Sequence, residues 1–311
     1  MNFNSLLFRV AIIGDIHLDY DDWDTRFFND SDYGLIVFVG DLSIVSKLRL
    51  SLEIAKKMAQ LEKPALVIPG NHDVHNSMQI VAEIMHNNFL AKVTGVKHEK
   101  FHFQLESALK PAILAGYSIH PYVSEDIAFD IIAARPFAMG GSSLSFLPSM
   151  RKLYGVQNVA ESEAHLCKLV DQSETGNIIF VAHNGPYGVS ATATDIWGCD
   201  FDPLLGDFGD RDLMTAISYA KKQGKRVRAV IAGHMHLQTY IGPYPLWKRR
   251  ENPGPLRPWK VEKDEILYIN PARVPRIFNI GEKRFHHHVR LEVYKDHVEA
   301  CERLIENDEL G

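Results

Sequence analysis

Seven residues have side chains that ligate metal ions and recur in one local setting: Asp15, His17, Asp41, Asn71, His183, His234 and His236. They offer two carboxylates, one amide oxygen and four imidazoles. A mixed oxygen and nitrogen set without thiolate suits borderline divalent metals, manganese first and then iron, zinc, nickel or cobalt. Seven side chains exceed what one ion with open positions takes. They suit two ions that share one bridging carboxylate. Two ions about 3.5–4 Å apart clamp an in-line displacement at phosphorus and acidify the attacking water. His72 directly follows Asn71 and points elsewhere. It is placed to protonate a leaving oxygen, or to stabilise charge in the transition state, as a general acid does. Asp73 is expected to orient or charge-tune it.

These residues need elements that carry them to one place. Each follows a short apolar run ending in Gly or Ala. Run 7–13 leads into Gly14-Asp15-Ile16-His17, run 35–39 into Gly40-Asp41, and run 65–69 into Gly70-Asn71-His72-Asp73. Run 177–182 leads into His183, and run 227–232 into Gly233-His234-Met235-His236. Such runs read as strands buried on both faces. Helical patterns lie between them at 46–61, 77–89, 161–172 and 210–223. Alternation of strand and helix implies parallel strands with crossovers, and ligands gather beyond the carboxyl ends of such strands. Asp15 and His17, like His234 and His236, are two apart and would point the same way on an extended strand end. Further strands are expected at 102–106, 111–117 and 265–269, with loops and a short helix over 134–156. A terminal hairpin of 288–294 with 297–304 turns at Lys295-Asp296. No repeat or linker divides residues 1–311, which read as a single domain.

In order and spacing, Asp15-Ile16-His17, Gly40-Asp41, Gly70-Asn71-His72-Asp73, His183 and Gly233-His234-Met235-His236 resemble the motif series of the calcineurin-like metallophosphoesterase superfamily. The stretch 267–276 (LYINPARVPR) resembles the strand and loop that follow its last motif. The resemblance implies an α/β fold, a four-layer α/β/β/α sandwich with mixed sheets. It implies Asp15, His17 and His236 on one metal, Asn71, His183 and His234 on the other, Asp41 bridging, and His72 as the catalytic imidazole. Leu42-Ser43 after Gly40-Asp41, and Asp73 in place of Glu, depart from the serine/threonine protein phosphatases. His72 stands where lipid A-type pyrophosphate hydrolases usually carry Arg. Residues 135–141 (RPFAMGG) resemble uncharacterised cyanobacterial and plastid-type members.

Composition narrows the partners. With 34 Lys+Arg against 39 Asp+Glu, the net charge is −5, so the whole surface is not built to coat a polyanion. No run of 18 apolar residues marks a membrane span, and no signal peptide is read at the N-terminus. The 3 cysteines lack CxxC spacing, which suits a reducing, cytoplasmic setting. A Pro-rich basic loop at about 247–263 interleaves Trp247 and Trp259 with six cations. It reads either as an anion-binding loop or as a solvated one. Arg250, Arg273 and Arg276 are the candidate substrate contacts. The run His286-His287-His288 reads as a solvated strand start, because a strand alternates its faces. The expected function is hydrolysis of a small or nucleotide-like phosphoester, diesters ahead of monoesters. A phosphomonoesterase, a nuclease and a catalytically retired metal-binding scaffold rank behind it. Nucleic acid stays open as a partner but is not favoured, and oligomeric state is not legible.

Overall fold

The computed structural model describes residues 8–44, 48–85, 87–94, 98–123, 127–240 and 253–307. In chain order the strands are β1 (Phe8–Ile13), β2 (Leu35–Phe38), β3 (Ala65–Val67), β4 (Ile113–Leu114), β5 (Ser118–Val123), β6 (Ala128–Ala133), β7 (Asn177–Ala182), β8 (Arg226–Ala232), β9 (Lys260–Lys263), β10 (Ile266–Ile269), β11 (Ile277–Ile280), β12 (Lys283–Val293) and β13 (Val298–Glu306). The helices are α1 (Asp22–Asp30), α2 (Leu48–Met58), α3 (Ser77–Ile84), α4 (Asn88–Thr94), α5 (His98–Leu109), α6 (Leu147–Tyr154), α7 (Val159–Gln172) and α8 (Arg211–Lys222).

Two mixed sheets form. One runs β11-β12-β1-β2-β3-β4, with β13 on the other side of β12, and the other runs β5-β6-β7-β8-β10-β9. β1 to β4 pair in parallel, as do β6, β7, β8 and β10, and antiparallel strands close every edge except that of β4. The sheets pack face to face through alternate residues. Val10, Ile12, Val37 and Leu66 meet Ile131, Ile179, Val181 and Ile231 in one buried cluster. The opposite faces, such as Ile13 and Phe38 on one sheet and Phe180 and Val230 on the other, pack against helices. The result is the four-layer α/β/β/α sandwich. Strands buried on both faces explain why the runs are apolar without alternation. Helices bury the stripe their spacing provides: Ile54, Ala55 and Met58 on α2, and Leu213, Ala216, Ile217 and Ala220 on α8. α1 starts at a capping box, with Asp21 accepting from the Asp24 amide and Asp24 accepting from the Asp21 amide.

Register decides what emerges at the sheet edge. Ile13 pairs with Phe38, and Phe38 with Val67, so the loops after β1, β2 and β3 leave side by side. Ala182 pairs with Ala232, so the loops after β7 and β8 do the same in the facing sheet.

Several expectations need correction. Residues 102–106 are helical within α5, where Phe101, Leu105 and Leu109 recur every four residues and Leu105 and Leu109 are buried. The strand expected at 111–117 shrinks to β4. The helix expected over 77–89 divides into α3 and α4. α1 and the β5–β6 hairpin have no counterpart in the sequence reading. The terminal hairpin is present and longer, with β12 and β13 paired from Phe285 to Val293. The three consecutive histidines are not solvated. His286, His287 and His288 are all at most 2% exposed, because β12 is covered on both faces. His286 pairs with Asp24, His287 with Glu302, and His288 with the Tyr33 hydroxyl.

Candidate metal centre

The loops after five strands bring the ligand-type side chains together. Asp15, His17 and His236 each place one ligand atom within 4.8 Å of the others, and Asp41, His183 and His234 form a second such group. His17 Nε2 lies 3.1 Å from His236 Nε2, and His236 Nε2 lies 3.2 Å from Asp15 Oδ2. Asp41 stands between the groups, with Oδ2 3.9 Å from His17 Nε2 and 3.5 Å from His183 Nε2. Asn71 Oδ1 lies 2.9 Å from His183 Nε2.

The chain reaches this geometry through turns, not extended strand ends. Asp15, His17, Asp41 and His234 all take positive φ, at +27°, +43°, +47° and +66°. The expectation of extended pairs is therefore wrong, and the side chains converge because the backbone coils back at each strand terminus. Left-handed backbone costs a non-glycine residue about 1–2 kcal/mol, and such strain concentrates at functional sites. Glycine supplies the clearance. A Cβ on Gly70 would sit 2.1 Å from Asp41 Oδ1, and one on Gly233 would sit 2.3 Å from Asp15 Oδ1.

Hydrogen bonds orient the ligands. His183 Nδ1 donates to the Val39 carbonyl at 2.7 Å, which leaves Nε2 facing the cluster. The His72 amide donates to Asp41 Oδ1 at 3.0 Å, and the His234 amide to Asp15 Oδ1 at 3.1 Å. Asp73 does something other than expected. It accepts from the Leu42 amide at 2.6 Å and the Gly70 amide at 2.7 Å, tying the Asp41 loop to the Asn71 loop. No contact ties its carboxylate to the His72 imidazole among the described residues. The His72 ring centroid is 5.9 Å from that of His17, and its buried Nδ1 has no hydrogen-bond partner.

The electrostatics call for positive charge. Burial works against ionising Asp15, but the neighbouring imidazoles, His236 first, outweigh it and hold the carboxyl below its ordinary range. Burial pushes His17 down to about 4 and His234 to about 3, so both are neutral imidazoles at pH 7, the ligating form. Asp15 Oδ2 is buried without a well-formed hydrogen bond. Two buried carboxylates, an orphaned acceptor and neutral imidazoles together fit a pair of divalent cations.

The candidate substrate contacts fare differently. Arg276 is buried and gives a fork of bonds to Asp24 at 2.8 and 2.9 Å, so its guanidinium is engaged inside the fold. Arg273 is half-buried, with its guanidinium 4.8 Å over the Phe278 ring. Arg250 and residues 247–252 of the basic loop lie outside the described residues. The rest of that loop is mostly exposed, Lys260 and Lys263 included, with one inward exception. Arg257 is buried and Lys260–Lys263 forms β9. A third group, Asp21, Asp24 and His286, also has ligand spacing, but Arg276 already neutralises Asp24. The sequence reading missed Asp24 and the Val39 carbonyl, neither of which is a motif position, and placed Arg257 only among the cations of the basic loop.

A model of the calcineurin-like phosphoesterase family matches residues 8–238. Curated proteins yield no significant match. One crystal structure superposes with a TM-score of 0.53 at 12% identity, covering 95% of this chain and 98% of the other. A dimetal phosphatase from Danio rerio aligns at 11% identity and a TM-score of 0.47, over 95% of this chain and 99% of that one. A phosphopantetheinyl hydrolase from Mycobacterium tuberculosis aligns at 12% identity and a TM-score of 0.47, over 85% and 89%. At 12% identity the first likeness concerns the fold alone.

Proposed function

Because the chain belongs to the calcineurin-like phosphoesterase family, we propose that it is a metal-dependent phosphoester hydrolase, acting on small or nucleotide-like diesters ahead of monoesters. The observation that carries this reading is the convergence of the two ligand groups around Asp41. Asp15, His17 and His236 would hold one divalent cation. Asn71, His183 and His234 would hold the other, with Asp41 shared. When bound, the pair supplies Lewis acidity and positive charge for hydrolysis at phosphorus. Manganese is the first candidate, with iron, zinc, nickel and cobalt behind it.

The chain's own residues do the rest. Partly exposed His72 gives a proton to the departing oxygen. Such help matters most for an alkoxide leaving group, which monoesters and diesters share. Asp73 holds the Asp41 and Asn71 loops at their spacing through its two amide bonds. Arg273 follows the Pro271–Ala272 segment that packs on Gly14, and we keep it as a candidate substrate contact. The free cysteines Cys167, Cys199 and Cys301 support a reducing, cytoplasmic setting.

The test is turnover of bis(p-nitrophenyl) phosphate and p-nitrophenyl phosphate by protein loaded with each of the five metals. We expect a higher kcat/KM for the diester with manganese. No turnover above buffer with any metal sinks the hydrolase reading. Faster monoester turnover leaves the hydrolase and refutes the diester preference.

A further inference from the structure

We propose that two buried arginines, Arg257 and Arg276, are positioning residues for one of the two metal positions, the one formed by Asp15, His17 and His236. The inference rests on the two-metal reading above and goes beyond it.

The two positions are supported differently. On the Asp41 side, local groups do the work. His183 is locked by the Val39 carbonyl, and Asp73 ties the Asp41 and Asn71 loops together. On the other side, His17 and His236 are partly exposed, their side chains 11% and 35% accessible against 0% for His183. Among the described residues, neither imidazole has a hydrogen bond from Nδ1. Their backbones are gripped instead.

Arg257 Nε donates to the His236 carbonyl at 3.0 Å. Its Nη1 donates to the Ala193 and Asp195 carbonyls, both at 2.7 Å, and its Nη2 lies 3.2 Å from Asp200. Asp200 accepts in turn from the Tyr240 amide. The guanidinium thus ties the last ligand of the β8 loop to the 193–200 segment. Arg276 does the matching task on the opposite side. Its Nη1 donates to the Asp19 carbonyl at 2.8 Å, two residues past His17, and its fork on Asp24 holds it there. The Asp19 amide donates back to Ile16, which makes the His17 turn one closed unit. Five donors in a rigid plane suit this task, and a lysine offers no such fork. Groups behind the ligands commonly set metal affinity within about 10–100-fold.

The experiment compares Arg257→Met, Arg276→Met and Arg228→Met with wild type by manganese titration, metal content after dialysis, and manganese electron paramagnetic resonance. Arg228 is a buried arginine that caps the carbonyls of Tyr294, Lys295 and His297, in the β12–β13 turn, and serves no ligand. Wild type and Arg228→Met should bind two ions and give the spectrum of a coupled pair. Arg257→Met and Arg276→Met should keep one tight ion, bind the second about 10–100-fold more weakly, and show the spectrum of an isolated ion. Should either Met variant fail to fold, Arg257→Lys and Arg276→Lys give the same readout with smaller losses. Two ions held with wild-type affinity in the folded variants overturn the inference alone, as does equal weakening of both ions. Wild-type protein that takes up no metal overturns the proposed function and this inference with it.

Discussion

At the scale of single residues, the proposed mechanism separates holding from proton transfer. His72 lies beside the ligand groups and bonds to Asp41 only through its amide. His72→Ala should therefore keep two metals and lose about 10²–10⁴ in rate, the usual worth of a positioned general acid. Metal content and single-turnover rate together check this, and an unchanged rate removes His72 from the mechanism. Asp41→Ala should do the reverse, losing metal first, because its Oδ2 faces both groups. Asp73 was legible as a motif residue but not by role. Its neighbour in sequence is His72, whereas its neighbours in space are two amides.

At the scale of elements, five strand-to-loop junctions carry the site, and glycine makes four of them passable, at Gly14, Gly40, Gly70 and Gly233. Gly70→Ala places a methyl group against Asp41 Oδ1 and His183, within 2.1 and 2.7 Å. We expect it to abolish uptake of at least one metal while the sheets still form. Gly224→Ala is the opposite case, a positive φ of +72° with open space around the added methyl group, so it should cost about 1–2 kcal/mol and leave metal binding intact. Calorimetric titration with manganese distinguishes the two, and normal uptake by Gly70→Ala contradicts the clearance argument. The junctions were legible because a strand buried on both faces leaves a continuous apolar run. Residues 102–106 were misread because five residues of a helix with one buried stripe look like a short alternating strand. The deciding signal, the recurrence of Phe101, Leu105 and Leu109, needs a longer window.

At the scale of the whole molecule, the histidines outside the centre become a stability term. His75, His98 and His288 are buried, and burial holds all three below the ordinary imidazole range, His98 at about 4. The unfolded chain takes up protons near pH 6.5 and the folded one does not. The stability is thus full above about pH 6.5 and falls as pH drops, by about 1.4 kcal/mol per pH unit for each such histidine. For His98 the loss ends near pH 4. Between pH 7 and pH 5, metal-free wild type should lose stability to urea relative to His98→Asn, and a pH-independent difference between the two contradicts it.

Strand runs and the ligand types after them follow from the chain alone, since burial on both faces and the chemistry of a carboxylate or imidazole are properties of residue identity. That is why the seven ligand-type residues that the fold brings together were readable before any contact was known. Which arginines turn inward was not readable. Arg273 and Arg276 stand three apart in one loop, yet one lies over a phenylalanine ring and the other is buried against Asp24. A cation's partner is set by what the fold brings opposite it, and Asp24 comes from a helix about 250 residues earlier in the chain. The three consecutive histidines obey the same rule. Their polarity suggested solvent, and only the covering of β12 on both faces, with Asp24, Glu302 and Tyr33 waiting there, made them interior.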